Sequence, residues 1–519
     1  VGGVATCQSV VDATDPSCVP YNVFSIGGVT PAAVNYISGR GEQSGYASRA
    51  VLNGVLIGQL GRYGLKSPWS DEGVGVALGV EYRREALRNT PNAALTSGDL
   101  SVYGQQLPFG GAYTVSEVFG EAHVPLLEDK PFARKLSLDL SDRYAKYSLQ
   151  GGVNAYKIGG DWTPTDGLRF RGSYSQAIRA PNGYELFKAN TIAKFQGADP
   201  CAGATPTATL AQCQNSGLTA AQYGTLTDTG NFNFLTGGNR HLSPETANTF
   251  TIGAVLTPLA IQNFSLSVDY WHIEVQHYDG QYAPNASLNN CINTGNPIFC
   301  ALVQRDAGGS ISLGNGITSG RVIATNLNTG SFEESGVDFD SNYAFDLADF
   351  NLPVPGRLSA HFVGSLALDN RIQPIPGGET FDCTGLFGPT CTGEGPTSPI
   401  PKWRHQLRLT WAAPEVWQVS LNWRHIGRLK SELGSSYAHL AGTPFAVDSQ
   451  IKPYDYFDLT TSIRVSSRVT MRAGMDNIFG RTPPVIGASA NPLVLGGNMA
   501  ASMYDTLGRY MFVSFTGEF

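Results

Sequence analysis

The chain has 519 residues, a mass of 55.3 kDa, 61 glycines, 15% charged residues and a formal net charge of −7. No apolar run reaches the roughly 18–20 residues that a membrane-crossing helix needs, which excludes a helical membrane protein but not a barrel of half-apolar strands. The acidic balance argues against nucleic acid as a partner.

In chain order, the start Val1-Gly2-Gly3-Val4 lacks the basic and apolar regions of a signal peptide, so the chain reads as processed or as a fragment of a longer one. Cys7 and Cys18 come next, and from about residue 45 the dominant pattern has period two. Strands are expected near 45–60, 74–91, 112–126, 133–148, 153–164 and 168–180. In the second, Val74, Val76, Leu78, Val80 and Tyr82 share one face, opposite Gly75, Ala77, Gly79, Glu81 and Arg83. In the fourth, Leu136, Leu138 and Leu140 oppose Ser137, Asp139 and Ser141. A long loop, 188–243, holds Cys201, Cys213 and a helix-like piece, Leu218 to Tyr223. Strands 245–258 and 264–279 follow, the latter with Phe264, Leu266, Val268 and Tyr270 against Ser265, Ser267 and Asp269. The loop 281–320 carries Cys291, Cys300 and a second helix-like piece, Asn293 to Gln304. Strands 322–346 and 357–372 precede a loop with Cys383 and Cys391. The last strands are expected at 401–413, 416–432, 452–466, 469–480 and 506–519.

These features point to an all-β chain forming an antiparallel transmembrane β-barrel. Alternation alone leaves a large soluble β protein open. The connections decide: short turns such as Pro164 to Gly167 and Ser466 to Arg468 alternate with long loops, the pattern of short periplasmic turns and long extracellular loops. All eight cysteines fall in local pairs on the long-loop side, which reads as four disulfides formed in an oxidising compartment. Zinc is the weaker reading, because no C-x-x-C spacing or histidine cluster accompanies them. About 15 strands are expected. An open set would leave backbone groups unpaired in hydrocarbon, so strands are expected before residue 1, giving about 15 of a probable 22-stranded barrel. The whole of 1–519 then reads as one partial barrel domain, starting in an extracellular loop, with the plug and first strands absent.

Several segments resemble the TonB-dependent receptor family. Ser173 to Phe187, with Arg179-Ala-Pro181, is similar to the family's mid-barrel strand and its exit. Asn239 to Asn248, containing Leu242-Ser-Pro-Glu245, is similar to the lead-in of the following strand. Asn326 to Gly330 with Gly336 to Asp338, Gly474 to Phe479, and Arg509 to Phe519 match further strands, in family order over nearly the whole chain. The resemblance implies a bacterial outer-membrane receptor that takes up a scarce solute, such as a siderophore, cobalamin or an oligosaccharide. It also implies energy from the TonB complex, acting through an N-terminal part that these residues do not contain. The terminal Phe515 and Phe519 resemble the tag read by barrel-assembly machinery. Outer-membrane lipid and an extracellular solute are the other partners implied.

No catalytic motif is present, and the chain does not read as an enzyme. The eight histidines are scattered and read as lumen, interface or loop residues, with no metal site or cofactor expected. Candidate solute contacts are Arg179, Asn182 and Tyr184 at a strand top, with Phe232, Phe234 and Asn239 in the longest loop; aromatics with amides suit sugars or flat chelates. Against that, Arg179 to Asn182 can simply shape the strand exit, since Pro181 ends ladder donation. Glu81, Arg83, Arg169, Arg171, Asp338, Asp340, Arg404, Arg408 and Arg424 are expected in a lumen charge network. A passive channel or porin, a structural surface barrel and a secreted β-sandwich stand as alternatives.

Overall fold

The computed structural model describes residues 5–100, 105–314, 318–350, 354–388, 390–391, 399–413, 417–438, 440–487 and 503–518. Strands β1 (Gln43–Gln59), β2 (Gly75–Pro91), β3 (Phe109–Lys130), β4 (Ala133–Tyr147), β5 (Gly151–Thr165) and β6 (Leu168–Arg179) come first. Two short strands, β7 (Thr191–Gln196) and β8 (Asn231–Thr236), lie in the loop that follows. β9 (Glu245–Leu256) and β10 (Phe264–Gln276) precede a second loop with β11 (Asp279–Gly280), β12 (Val303–Gln304), β13 (Arg321–Ile323) and β14 (Leu327–Asn328). β15 (Ser331–Asp346) and β16 (Arg357–Gln373) are followed by β17 (Phe381–Asp382) and β18 (Leu386–Phe387). β19 (Trp403–Ala412) and β20 (Trp417–Ile426) lead to β21 (Leu429–Ser431) and β22 (Gln450–Ile451). β23 (Tyr454–Ser466), β24 (Val469–Asp476) and β25 (Tyr510–Gly517) end the series.

The fifteen long strands form one antiparallel sheet in the order β1-β2-β3-β4-β5-β6-β9-β10-β15-β16-β19-β20-β23-β24-β25, with β17 attached to β16. All of them were expected. Each long strand pairs with the next long strand in sequence, even across the long loops, and among the described residues β1 and β25 each carry a ladder on one side only. Register keeps the two faces separate. Leu168, Leu256 and Leu266 share one row, while Arg169, Val255 and Ser267 share the next. The apolar face meets no protein core: Leu52 is 75% exposed, Ile252 54% and Val513 63%. Such a face suits lipid, and the sheet has the form of a membrane-barrel wall.

Strand ends differ from expectation where loops capture them. The strand expected at 322–346 is three elements, β13, β14 and β15, and only the last joins the wall. Gly330 marks the break. A Cβ there would lie 1.5 Å from the Gln373 carbonyl oxygen, so only glycine lets the chain enter beside β16. The strand expected at 416–432 likewise divides into β20 and β21. The helix-like piece Leu218 to Tyr223 is a set of turns; the helix is Leu210–Asn215, opened by a Thr209–Gln212 capping box and followed by Gly217 at φ +87°. The other expected piece is real but shifted, as helices Pro284–Thr294 and Pro297–Cys300. Phe519 and His439 lie outside the described residues.

Candidate functional site

The largest buried cluster lies in the loops. The loop after β6 and the loop after β10 fold as one unit, because β8 and β13, from different loops, pair in parallel (Phe234 with Val322, Leu235 with Ile323). β7 and β12 complete a four-stranded sheet. Phe232, Leu288, Ile292, Phe299, Ile311 and Val322 fill its core. Cys201–Cys213 and Cys291–Cys300 staple it, and Cys7–Cys18 and Cys383–Cys391 are also bonded, as the spacing implied. Arg305 and Asp199 form an ion pair at 2.7 Å with side chains 4% and 1% exposed. The guanidinium also donates to the Ser216 hydroxyl and the Gly309 carbonyl, so the buried charge is satisfied. Asn233, fully buried, donates to the carbonyls of Leu313, Gly314 and Gly320.

The unit is tied to the rim at Arg179. Its guanidinium bonds both oxygens of Glu245 at 2.5 and 2.6 Å and reaches Glu185 at 3.0 Å. Two segments read separately in the sequence, Arg179-Ala-Pro181 and Pro244-Glu245, are thus one bidentate pair. Asn182 caps the helix Gly183–Phe187, with Glu185 completing the capping box. Asp279 closes the cluster: its side chain is 1% exposed and neither carboxylate oxygen accepts a hydrogen bond. Burial, then the neighbouring Glu185 charge, pushes its pKa up to about 7, against the opposing pull of Arg179.

The candidate solute residues therefore separate. Arg179 and Asn182 are engaged in structure. Phe232 is 1% exposed and offers no surface to a solute, and Phe234 packs against the same core. The Asn239 amide is spent on the Asn326 carbonyl and the His241 N–H. Tyr184 remains at the surface, 53% exposed, edge-on to Phe109 and beneath the Lys188 ammonium.

The lumen charges form several local clusters. Arg83 contacts Glu81, Glu85 and Glu117, and Glu117 also binds Arg143. Arg169 pairs with Asp161, and Arg171 with Asp269. Asp340 meets His361 at 3.3 Å, and Arg424 bridges Asp458 and Asp505. The sequence reading missed Glu117, Arg143, Asp161, Asp269, Asp458 and Asp505; Glu117, Asp161 and Asp458 stand one diagonal step across the neighbouring strand from Arg83, Arg169 and Arg424, and Asp269 stands one strand further along the Arg171–Gly253 row. Arg404, Arg408 and Asp338 make no ion pair among the described residues, and with Asp340, Arg171 and Arg424 they line a cleft of about 1080 Å³ on the lumen wall. No group of three or more metal-ligating side chains occurs among the described residues.

The model of a family described as TonB dependent receptor-like, beta-barrel, matches residues 21–478. The ferric enterobactin receptor PfeA of Pseudomonas aeruginosa is 15% identical, with a TM-score of 0.57 over 91% of this chain and 54% of that one. The siderophore receptor PirA of Acinetobacter baumannii is 13% identical, with a TM-score of 0.54 over 92% of this chain and 55% of that one. The chain thus spans about half the length of these structures. No curated protein matches it in sequence.

Proposed function

The chain belongs to the TonB-dependent receptor family, and from that premise we propose that it takes up a scarce extracellular solute across the outer membrane with energy delivered through TonB. Members of this family are transporters rather than enzymes. The family match over 21–478 carries the reading. The stapled two-loop unit supports it, since a receptor needs an ordered outer surface and a passive pore does not. Of the structural neighbours, one is named as a ferric enterobactin receptor and another as a siderophore receptor, which makes an iron chelate the first solute class to test. Tyr184, with Lys188 against its ring, is the exposed aromatic–cation surface best suited to such a flat, anionic ligand.

The test is growth of a strain lacking the gene for this chain, with a panel of ferric chelates as sole iron source, together with direct binding to the purified protein. Loss of growth on one chelate, restored by the gene and dependent on TonB, is expected. Normal growth on every chelate would sink the iron reading. A passive channel has one observation in its favour, Arg404 and Arg408 on the lumen cleft, which make no ion pair among the described residues. Steady single-channel conductance selective for anions, with no saturable binding, would select it. Recognition of Phe515 by the assembly machinery is part of the same proposal, tested by membrane yield of Phe515→Ala.

A further inference from the structure

The outward face of the wall is charged above its apolar band, and the charges are handled differently in two sectors. At the long-loop ends of β15 and β16, Arg371 meets Asp369 at 2.9 Å and Glu333 at 3.7 Å, and His272 of β10 lies 3.8 Å from Glu333. On β20, His425 meets Asp455 of β23 at 2.7 Å. On β2 and β4 the pattern breaks. Arg84, Arg88 and Lys146 are exposed, and none has an ion-pair partner among the described residues.

Their outward direction follows from register. Side chains alternate faces along a strand, and Arg84 and Arg88 share parity with Leu78, Val80 and Tyr82, which are 55%, 61% and 49% exposed. The opposite parity holds Glu81, Arg83 and Glu85, bound into a lumen cluster. Lys146 stands opposite Ser116, which stands opposite Tyr82 across β3. Arg88 faces Tyr46 on one side and Gly110 on the other. A cleft of about 500 Å³ opens there, lined by Tyr46, Arg84, Arg88, Phe109 and Gly110. Arg88 is three residues from the end of β2 on the long-loop side, which faces outward from the cell. One acid shares the sector, Asp142, four residues below Lys146 and bonded by the Asn154 amide.

We propose that Arg84, Arg88 and Lys146 form a docking site for the phosphate groups of outer-leaflet lipid, with Tyr46 and Tyr82 packing against the sugar and acyl boundary. Charge complementarity selects the occupant. Three cations that make no ion pair among the described residues sit at the upper edge of an apolar band, at the depth where an anionic headgroup meets hydrocarbon. Arginine forks suit phosphate oxygens. The paired sectors elsewhere need no such partner.

The test measures lipid carried by the purified protein, by native mass spectrometry in detergent, after incubation with bisphosphorylated lipid A, dephosphorylated lipid A or inorganic phosphate. An Arg84→Ala/Arg88→Ala/Lys146→Ala variant is compared with wild type and with Arg371→Ala in the paired sector. Each cation near an anionic lipid surface is worth about fivefold. The triple variant is therefore expected to retain lipid A at least about tenfold less than wild type, and Arg371→Ala to retain it fully. Equal retention by the triple variant, equal retention of dephosphorylated lipid A, or displacement of lipid A by inorganic phosphate would each overturn the proposal. Heat-modifiable gel migration checks that the variant keeps its barrel; should it not, single glutamine substitutions at the same positions carry the comparison. The readout needs no transported solute, so it is independent of the proposed uptake function.

Discussion

Ile252 in the barrel wall is 54% exposed, and Phe232 in the two-loop unit is 1% exposed, although both occupy apolar positions of strands. The wall draws its order from continuous antiparallel ladders and from lipid outside the molecule. The loop unit makes its own interior, with a sheet, two disulfides and a buried ion pair. The wall thus resembles a membrane solute in its energetics, and the loop unit a small secreted domain. The same chain obeys two different rules for where an apolar side chain belongs.

Substitutions can break this contrast in either region. The largest effect is expected from Arg305→Ala, which strands the Asp199 carboxylate in the loop core; about 3–5 kcal/mol of loop-unit stability should be lost. Limited proteolysis of the protein in membranes reads this as cleavage between residues 190 and 320, with the wall intact. An intact loop under those conditions would show that the unit has no cooperative core of its own. In the wall, Ile252→Arg should cost about 2–4 kcal/mol near the bilayer midplane, read by unfolding in lipid vesicles. Ile252→Ala should be far milder there, since no protein cavity forms. A large penalty for the alanine would mean that Ile252 packs against protein.

The next effect is a slope. Asp279 binds its proton more tightly in the folded protein than in the unfolded chain, so the folded state holds the extra proton between the ordinary carboxylate range and about pH 7. Loop-unit stability should therefore fall as pH rises through that window and level off above it. Asp279→Asn keeps the shape of the neutral carboxyl and should flatten the dependence. An unchanged slope in proteolysis rates from pH 5 to 8 would refute this. The smallest effect is expected from Tyr184→Ala, whose half-exposed ring should alter stability by less than about 1 kcal/mol while weakening any solute held there.

The same contrast explains what could be read in advance. The fifteen wall strands were legible because each carries its signal locally: Leu78, Val80 and Tyr82 alternate with Gly79, Glu81 and Arg83 whatever the rest of the chain does. The loop unit was not legible, because its defining contacts join Phe234 to Val322 and Asp199 to Arg305 across two intervening wall strands. Phe232 looked like a solute contact because an aromatic in a loop rich in glycine and asparagine has no local partner. Its partners, Leu288 and Ile292 among them, come from the other loop. Arg179 and Glu245 were each noticed, yet nothing in their spacing says that strand and lead-in meet at one ion pair. The Asp279 pocket left no sequence signal, since its burial is created by the loops that cover it.

The parallel pairing of β8 with β13 also orders events in time. β8 ends at Thr236 and β13 begins at Arg321, so the first loop must wait for two complete wall strands and most of the second loop before its sheet can close. Its cysteines cannot rely on that sheet to find each other. They need not: every bridge spans only 8 to 12 residues, and short segments meet far sooner than distant ones. Oxidation can thus select the native pairing, out of 105 possible for eight cysteines, while the loops are still open, and the finished unit then assembles from pieces already closed on themselves.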